Sequence, residues 1–401
     1  MAGSARPETG RLRVAVDATP LLGTRTGVGR FCEGALGALA TRSDLDVSAF
    51  AVTWRRRRRL PPAVPPGVRV HQRAMPARPL HLAWARVGRP GVEWFVGPED
   101  VVHGTNFVVP PCRWAARVVT VHDLTTLRFP ELCDRSTLGF PRLVRRAIAE
   151  GAWVHTPSRF VADEVVAEFA ADPAKVRAVH HGIPRPHVFE GAPEAAAEPG
   201  RQGAGGAGPH RGAAPHLPPG VTRYVLAVGT VEPRKDYPGL VRAFAAVAAG
   251  RPDVALVVAG ADGWGADAFH EAVHASPVAD RVLQLGYVSD EALGRWVAGA
   301  VVLAFASVYE GFGFPPLEAM AAGVPVVATA AGAVPEVVGD AALLVAPRDV
   351  DALAGALARV LDDEGRRAGL VARGRQRAGL FSWEACAAGL AELYADASRA
   401  R

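Results

Sequence analysis

Short, almost wholly apolar runs recur along the chain, and stretches of helical period separate most of them. Residues 11–17 predict a first strand. Residues 22–30 predict a glycine-rich loop that enters a helix ending near Ala40. Residues 46–54, 68–71, 100–105, 117–123, 152–156 and 175–180 predict further strands. Residues 137–150 predict a helix, and Ser158 predicts the cap of another that ends near Phe169. The pattern then stops. Residues 190–220 are rich in Gly, Ala and Pro and offer almost nothing to bury, which predicts a flexible linker or insertion. Beyond it the alternation restarts, with strands over 224–229, 254–259, 282–286, 301–306, 324–328 and 342–345. Helices are predicted over 238–249, 290–297 and 317–322, and throughout 350–401. Strands without polar alternation belong to parallel sheets covered on both faces.

The expected fold class is therefore α/β, with two doubly wound, Rossmann-like domains. Residues 1–10 are expected to be a loose tail, residues 11–189 the first domain and residues 221–381 the second. In this architecture ligands bind beyond the carboxyl ends of the strands, here in a cleft between the two sheets. A length of 401 residues agrees with two domains.

Composition mostly removes alternatives. Hydrophobic residues make up 49% and charged residues 21%, so the chain is globular. The net charge of +5 is too small for this length to argue nucleic-acid binding. Cys32, Cys112, Cys133 and Cys386 are scattered, which favours a reducing compartment over a disulfide scaffold or zinc site. No signal segment or membrane-spanning run is seen, so a soluble, cytoplasmic protein is expected. Neither His-Glu-x-x-His, Gly-x-Ser-x-Gly nor a Walker loop occurs. Asp44-Leu-Asp46 precedes its strand and Asp349-Val-Asp351 reads as a helix start, so no metal and no cofactor are expected.

Four stretches carry candidate chemistry. The most specific is Tyr309-Glu-Gly-Phe-Gly-Phe-Pro-Pro-Leu-Glu318, between a buried strand and a helix. Its Gly311 and Phe312 amides and the following helix N-terminus would favour an anion. Glu310 and Glu318 beside an anion site suit a ligand with both phosphate and hydroxyls, as in a nucleotide sugar. Glu318 taken alone is also a favourable first-turn acid. The second stretch, Gly229-Thr-Val-Glu-Pro-Arg-Lys-Asp236, sets Arg234 and Lys235 at a strand's carboxyl end. Two adjacent cations there suit a diphosphate, although a solvated pair is the plainer alternative. The third, Thr24-Arg-Thr-Gly-Val-Gly-Arg30, brings Gly27 and Gly29 to a turn where backbone can approach phosphate. It lacks the third glycine of a dinucleotide fingerprint, Cys32 standing there, and a plain tight turn reads equally well. The fourth is Val121-His-Asp123. His122 would reach the cleft, to donate to a sugar hydroxyl or orient an acceptor, or would serve only structure. Asn106 and Asp123 are candidates for the acceptor side.

Taken together, these residues resemble the retaining glycosyltransferases of GT-B fold, specifically family 4 (group 1), with Glu310 and Glu318 as the paired-glutamate motif. The Glu-Pro-Arg-Lys stretch resembles that of the family's mannosyltransferases. The resemblance implies a nucleotide-sugar donor, with mannose from GDP-mannose the leading choice. It implies a glycan or polyprenyl (lipid-linked) acceptor, as in polysaccharide biosynthesis, with retention and no essential metal. Glu318 would bind the ribose hydroxyls and Glu310 the transferred sugar. Arg234 and Lys235 would hold the diphosphate, Gly27 and Gly29 would approach it, and His122 would contact the sugar. The helix at 382–399 resembles the family's last helix, which packs back on the first domain. The base would lie near Gly286-Tyr-Val288. Arg55–Arg59 would give peripheral contact with an anionic membrane, or form only a solvated loop. Competing expectations are an NAD-dependent two-domain dehydrogenase, a non-catalytic partner of the same fold, and a phosphorylase or hydrolase of activated sugars.

Overall fold

The computed structural model describes residues 10–23, 26–135, 137–183 and 217–401. The chain divides into two compact units, residues 1–183 with 381–401, and residues 184–380. Most of the segment expected to be a linker lies outside the described residues, as do Thr24 and Arg25 of the first glycine-rich loop.

Among the described residues the first unit holds seven strands: β1 (Leu12–Asp17), β2 (Leu45–Phe50), β3 (Arg69–Val70), β4 (Val101–Gly104), β5 (Ala116–Thr120), β6 (Trp153–Thr156) and β7 (Val176–Ala178). Their order across the sheet is β3-β2-β1-β4-β5-β6-β7, and every pairing is parallel. The second unit holds β8 (Arg223–Val228), β9 (Val254–Ala259), β10 (Val282–Gln284), β11 (Val302–Phe305), β12 (Val326–Thr329) and β13 (Ala342–Val345). Their order is β10-β9-β8-β11-β12-β13, again wholly parallel. Both sheets thus reverse winding direction beside their first strand, between β1 and β4 and between β8 and β11. Crevices open at such switch points because successive helices leave to opposite faces. Complete burial of Val254, Ala255, Leu256, Val257 and Val258 explains why β9 carries no polar alternation.

Several helices differ from the sequence reading. Gly27–Ala40 is one helix, so Gly27 and Gly29 occupy its first turn instead of a loop, with Gly27 exposed and Gly29 buried. Ala77–Val87 and Asp267–His274 are additional helices. Ser158 does cap Arg159–Phe169, accepting from the Val161 amide at 3.2 Å.

The last helix, Trp383–Arg399, packs on Gly27–Ala40 and on β5 of the first unit. Gly34 is required at that crossing, since any added Cβ would overlap the Trp383 indole. Tyr394 anchors the helix through a buried chain of hydrogen bonds. Its hydroxyl lies 2.7 Å from His103 Nδ1, and His103 Nε2 lies 2.7 Å from Thr120 Oγ1. Thr120 Oγ1 is 2.9 Å from His155 Nδ1, and His155 Nε2 is 3.0 Å from the Val179 carbonyl. A carbonyl can only accept, so His155 carries its proton on Nε2. Thr120 must then donate to His155 and accept from His103 Nε2, which leaves Tyr394 to donate to His103 Nδ1. One direction satisfies every group, and both imidazoles are neutral. Burial pushes His103 well below its ordinary value and His155 down to about 3. His181, stacked on Phe31 with centroids 4.3 Å apart, is likewise held well below its ordinary value by burial.

A histidine with a depressed folded pKa contributes stability above about pH 6.5 and loses it as pH falls toward the folded value. The cost is about 1.4 kcal/mol per buried histidine for each pH unit below 6.5. Urea denaturation at pH 7.5 and 5.5 should therefore show the first unit losing several kcal/mol, with hydrogen exchange assigning the loss to β4–β6. Equal midpoints at the two pH values would contradict the neutral network.

Candidate functional site

At the switch point of the second sheet, the loops after β8 and β11 bring together residues 75 apart in sequence. Leaving β8, the chain turns at Gly229, whose φ of +139° favours glycine. Tyr237 Oη donates to the Gly229 carbonyl at 2.8 Å. The chain then makes a 3-10 turn over Pro233–Lys235. Asp236 closes the turn in the left-handed region at φ +46°, and its carboxylate caps Tyr237–Ala248 by accepting from the Gly239 amide at 3.1 Å. This tight reversal presents two successive cationic side chains to the crevice. The Val308 amide donates to the Arg234 carbonyl at 2.9 Å, tying this loop to the one after β11.

The second loop carries Glu310. Its carboxylate lies 2.5 Å from Lys235 Nζ and 2.7 Å from Arg234 Nη1. Arg234 also donates to the Tyr309 carbonyl at 3.0 Å and to Glu232 at 2.6 Å. The Lys235 ammonium lies 4.8 Å from the centroid of the Phe305 ring, a cation–π contact. Glu310 is only 9% exposed. Burial opposes its ionisation, but the charges of Arg234 and Lys235 outweigh this and hold its carboxyl at about 2. Burial also pushes the Lys235 ammonium below its ordinary value, with Glu310 opposing. A carboxylate can stay ionised in such a place only with close partners.

Backbone fixes this carboxylate. The Ala333 amide donates to the Glu310 carbonyl at 2.8 Å, and Gly332, at φ +58°, packs directly against the Glu310 backbone. Gly311 and Phe312 follow, both buried, and then Gly313 at φ +144° opens the helix Phe314–Ala321. Glu318 lies within that helix at 6% exposure. Its first turn contains Pro315 and Pro316, which need no amide partner there.

Other candidates lie in the first unit. His122 follows β5 and donates from Nε2 to the Thr105 carbonyl at 2.8 Å. Its Nδ1 is then an acceptor, whereas the sequence reading allowed a donor to a sugar hydroxyl. Burial pushes its pKa below the ordinary value. Asp123 accepts from the Thr125 amide at 2.9 Å, and Asn106 is half-buried just beyond β4. Gly27 and Gly29 lie at a helix start beyond β1. Arg55–Arg59 follow β2; Arg56 donates to the Leu22 carbonyl at 3.1 Å and Arg57 to that of Trp54 at 2.5 Å. Asp46 pairs with Arg69 at 2.8 Å, and Asp349 caps Val350–Asp362.

Two residues, one in each unit, escaped the sequence reading. Asp17 ends β1; burial raises its carboxyl to about 6 although Thr19 donates to it from both amide and hydroxyl. A strand-terminal Asp before a turn was the only signal. Gly332 was the other, one glycine among 43 in the sequence.

Proteins similar to this chain are known both by sequence and by fold. A family model described as "Glycosyl transferases group 1" matches residues 213–377. The O-antigen chain mannosyltransferase B of Escherichia coli is 30% identical over 297 residues, covering 72% of each chain. The MMP alpha-(1->4)-mannosyltransferase of Mycolicibacterium hassiacum is 44% identical over 124 residues, 30% of each chain. Sucrose-phosphate synthase from Thermosynechococcus elongatus superposes with a TM-score of 0.69 at 19% identity, covering 98% of this chain and 100% of the other. The fold is accordingly of the GT-B class.

Replacing Gly332 with Ala would drive a Cβ into the Glu310 carbonyl. We expect Gly332→Ala to lose about 1–3 kcal/mol of stability and to bind nucleoside diphosphates at least tenfold more weakly. Thermal melts and calorimetry check this, and unchanged binding would show that the Glu310 backbone does not need this support.

Proposed function

The chain belongs to the glycosyl transferases of group 1, and we propose that it moves a hexose from a nucleoside-diphosphate sugar to a glycan or lipid-linked acceptor. Mannose from GDP-mannose is the favoured donor reading, supported by Glu232-Pro-Arg-Lys235 and by two relatives named as mannosyltransferases. The observation that carries the proposal is the pairing of Arg234 and Lys235 with Glu310 at the carboxyl ends of β8 and β11.

In this reading the departing diphosphate is stabilised as charge builds on its oxygens. Arg234 offers a planar fork and Lys235 a point charge, both held before the reaction begins. Fixed cations of this kind supply what a metal would, so the transfer is read as metal-independent. Glu318 takes the ribose hydroxyls and the Gly311 and Phe312 amides assist at the phosphate. Glu310 faces the transferred sugar. Held at about 2 by two cations, its carboxylate is a poor nucleophile and a poor base. That favours substitution on the face the diphosphate leaves, with retention and with the leaving phosphate taking the acceptor's proton. His122 would contribute through Nδ1 as an acceptor toward a sugar hydroxyl. Gly27 and Gly29 are assigned to the phosphate side, and Asn106 and Asp123 to the acceptor.

A thermal-shift panel of GDP, UDP, ADP and their sugars tests the assignment. One nucleoside diphosphate should raise the melting temperature, GDP under the favoured reading, and Lys235→Ala should abolish the shift. A shift that survives Lys235→Ala would remove the site. Transfer in the presence of EDTA should continue and keep the donor's anomeric configuration; loss of activity or inversion would remove that part of the mechanism.

Peripheral contact with an anionic membrane through Arg55–Arg59 belongs to the same reading. Trp54 beside them is 58% exposed, and each basic residue near such a surface contributes about 1 kcal/mol. Among the described residues no helix is long and apolar enough to cross a membrane. Co-sedimentation with phosphatidylserine vesicles should fall at least tenfold when the five arginines become Gln, and unchanged co-sedimentation would exclude the contact.

A further inference from the structure

Two positive and two negative side chains meet beyond β8 and β11. Arg234 and Lys235 supply the positive charges, and Glu310 and Glu232 the negative ones. Their formal charges sum to zero, so these four groups have no excess positive charge to offer a diphosphate. The two carboxylates are not equivalent. Glu310 bridges both cations, and Gly332 and Ala333 hold its backbone. Glu232 bonds Arg234 alone, at 2.6 Å, and its side chain is 22% exposed against 12% for Glu310. It stands in extended backbone, φ −141° and ψ 157°, just before the 3-10 turn that carries the cations. Glu232 is therefore the carboxylate that can release its cation with less loss of buried pairing.

We propose that Glu232 is an affinity-setting counter-charge, which competes with the ligand's phosphate oxygens for the Nη2 edge of Arg234. When a nucleoside diphosphate binds, Arg234 exchanges the carboxylate of Glu232 for a phosphate oxygen. When the product leaves, Glu232 takes the guanidinium back. The exchange keeps Arg234 pointed into the crevice in both states. It also weakens product binding, which shortens the residence of the spent nucleotide. The inference rests on the reading of this crevice as a nucleotide-sugar site. It adds a specific role to a residue that the reading leaves unused.

Glu232→Gln keeps an oxygen that can accept from Arg234 and removes only the charge. GDP, UDP and ADP are the probes, with dissociation constants measured by calorimetry at low salt on the full chain. Whichever nucleotide the unaltered protein binds should bind Glu232→Gln about twofold to fivefold more tightly, the scale of a partly exposed ion pair. Glu232→Asp, which retains the charge, should not tighten. Turnover of Glu232→Gln should fall relative to its single-turnover rate, because release slows. Unchanged or weaker binding by Glu232→Gln, with the unaltered protein still binding, would overturn this inference and leave the functional reading standing. If the unaltered protein binds none of GDP, UDP and ADP, both fall together.

Discussion

The carboxyl edge of the second unit depends on one constraint: a buried carboxylate must have its cations. Glu310 is nearly enclosed, so losing either Arg234 or Lys235 would leave an uncompensated charge in a poorly solvated place. That requirement explains much of the surrounding geometry. The left-handed Asp236, the 3-10 turn before it, the amide bond from Val308 to Arg234 and the close approach of Gly332 all serve to bring opposite charges within bonding distance. Each costs conformational freedom or strain on its own. Sheet order makes the meeting possible, because β8 and β11 are neighbours although far apart in sequence.

The first unit solves a similar problem with the opposite chemistry. Its buried polar groups are kept neutral instead of paired as ions. Tyr394 donates first, and His103, Thr120 and His155 each accept and donate in one consistent direction that ends on a backbone carbonyl. Neutral groups carry a smaller desolvation cost than ions, so this network can sit deep in the sheet without counter-charges. The ionic cluster is strong in the pH range where carboxylates are ionised. The imidazole chain is strong only where histidine is not. The two halves of the chain therefore respond to acid for different physical reasons.

How much of this was legible in the sequence follows the same division. Apolar parallel strands have a pattern of their own, which is why β1, β4, β5, β8, β9 and β11 were readable as runs. Arg234, Lys235, Glu310 and Glu318 were readable as chemistry, because charge at a strand end next to glycine is unusual. Their pairing was less so. The sequence assigned the cations to phosphate and the glutamates to hydroxyls, and nothing local says that Glu310 bonds both cations across 75 residues. Gly27 and Gly29 were misplaced because glycine is a loop signal by propensity, whereas the helix already begins at Gly27, with Gly29 buried beside the Pro20 carbonyl. The histidine chain was invisible: His103, Thr120, His155 and Tyr394 lie on separate elements, and a lone strand histidine carries no mark of its partner.

The route of the chain gives the last helix a temporal meaning. Trp383–Arg399 completes the core of the first unit, yet the whole of the second unit's sequence precedes it. During synthesis from the amino end, strands β1–β7 leave the ribosome long before Tyr394 exists to donate to His103. The second unit has all its strands and can close first, although it begins later in the chain. The first unit must wait, with the groove for Trp383 at Gly34 open and one end of its hydrogen-bond chain unfinished. Order of translation and order of completion are thus reversed, and the half that emerges first is the one exposed longest to misfolding.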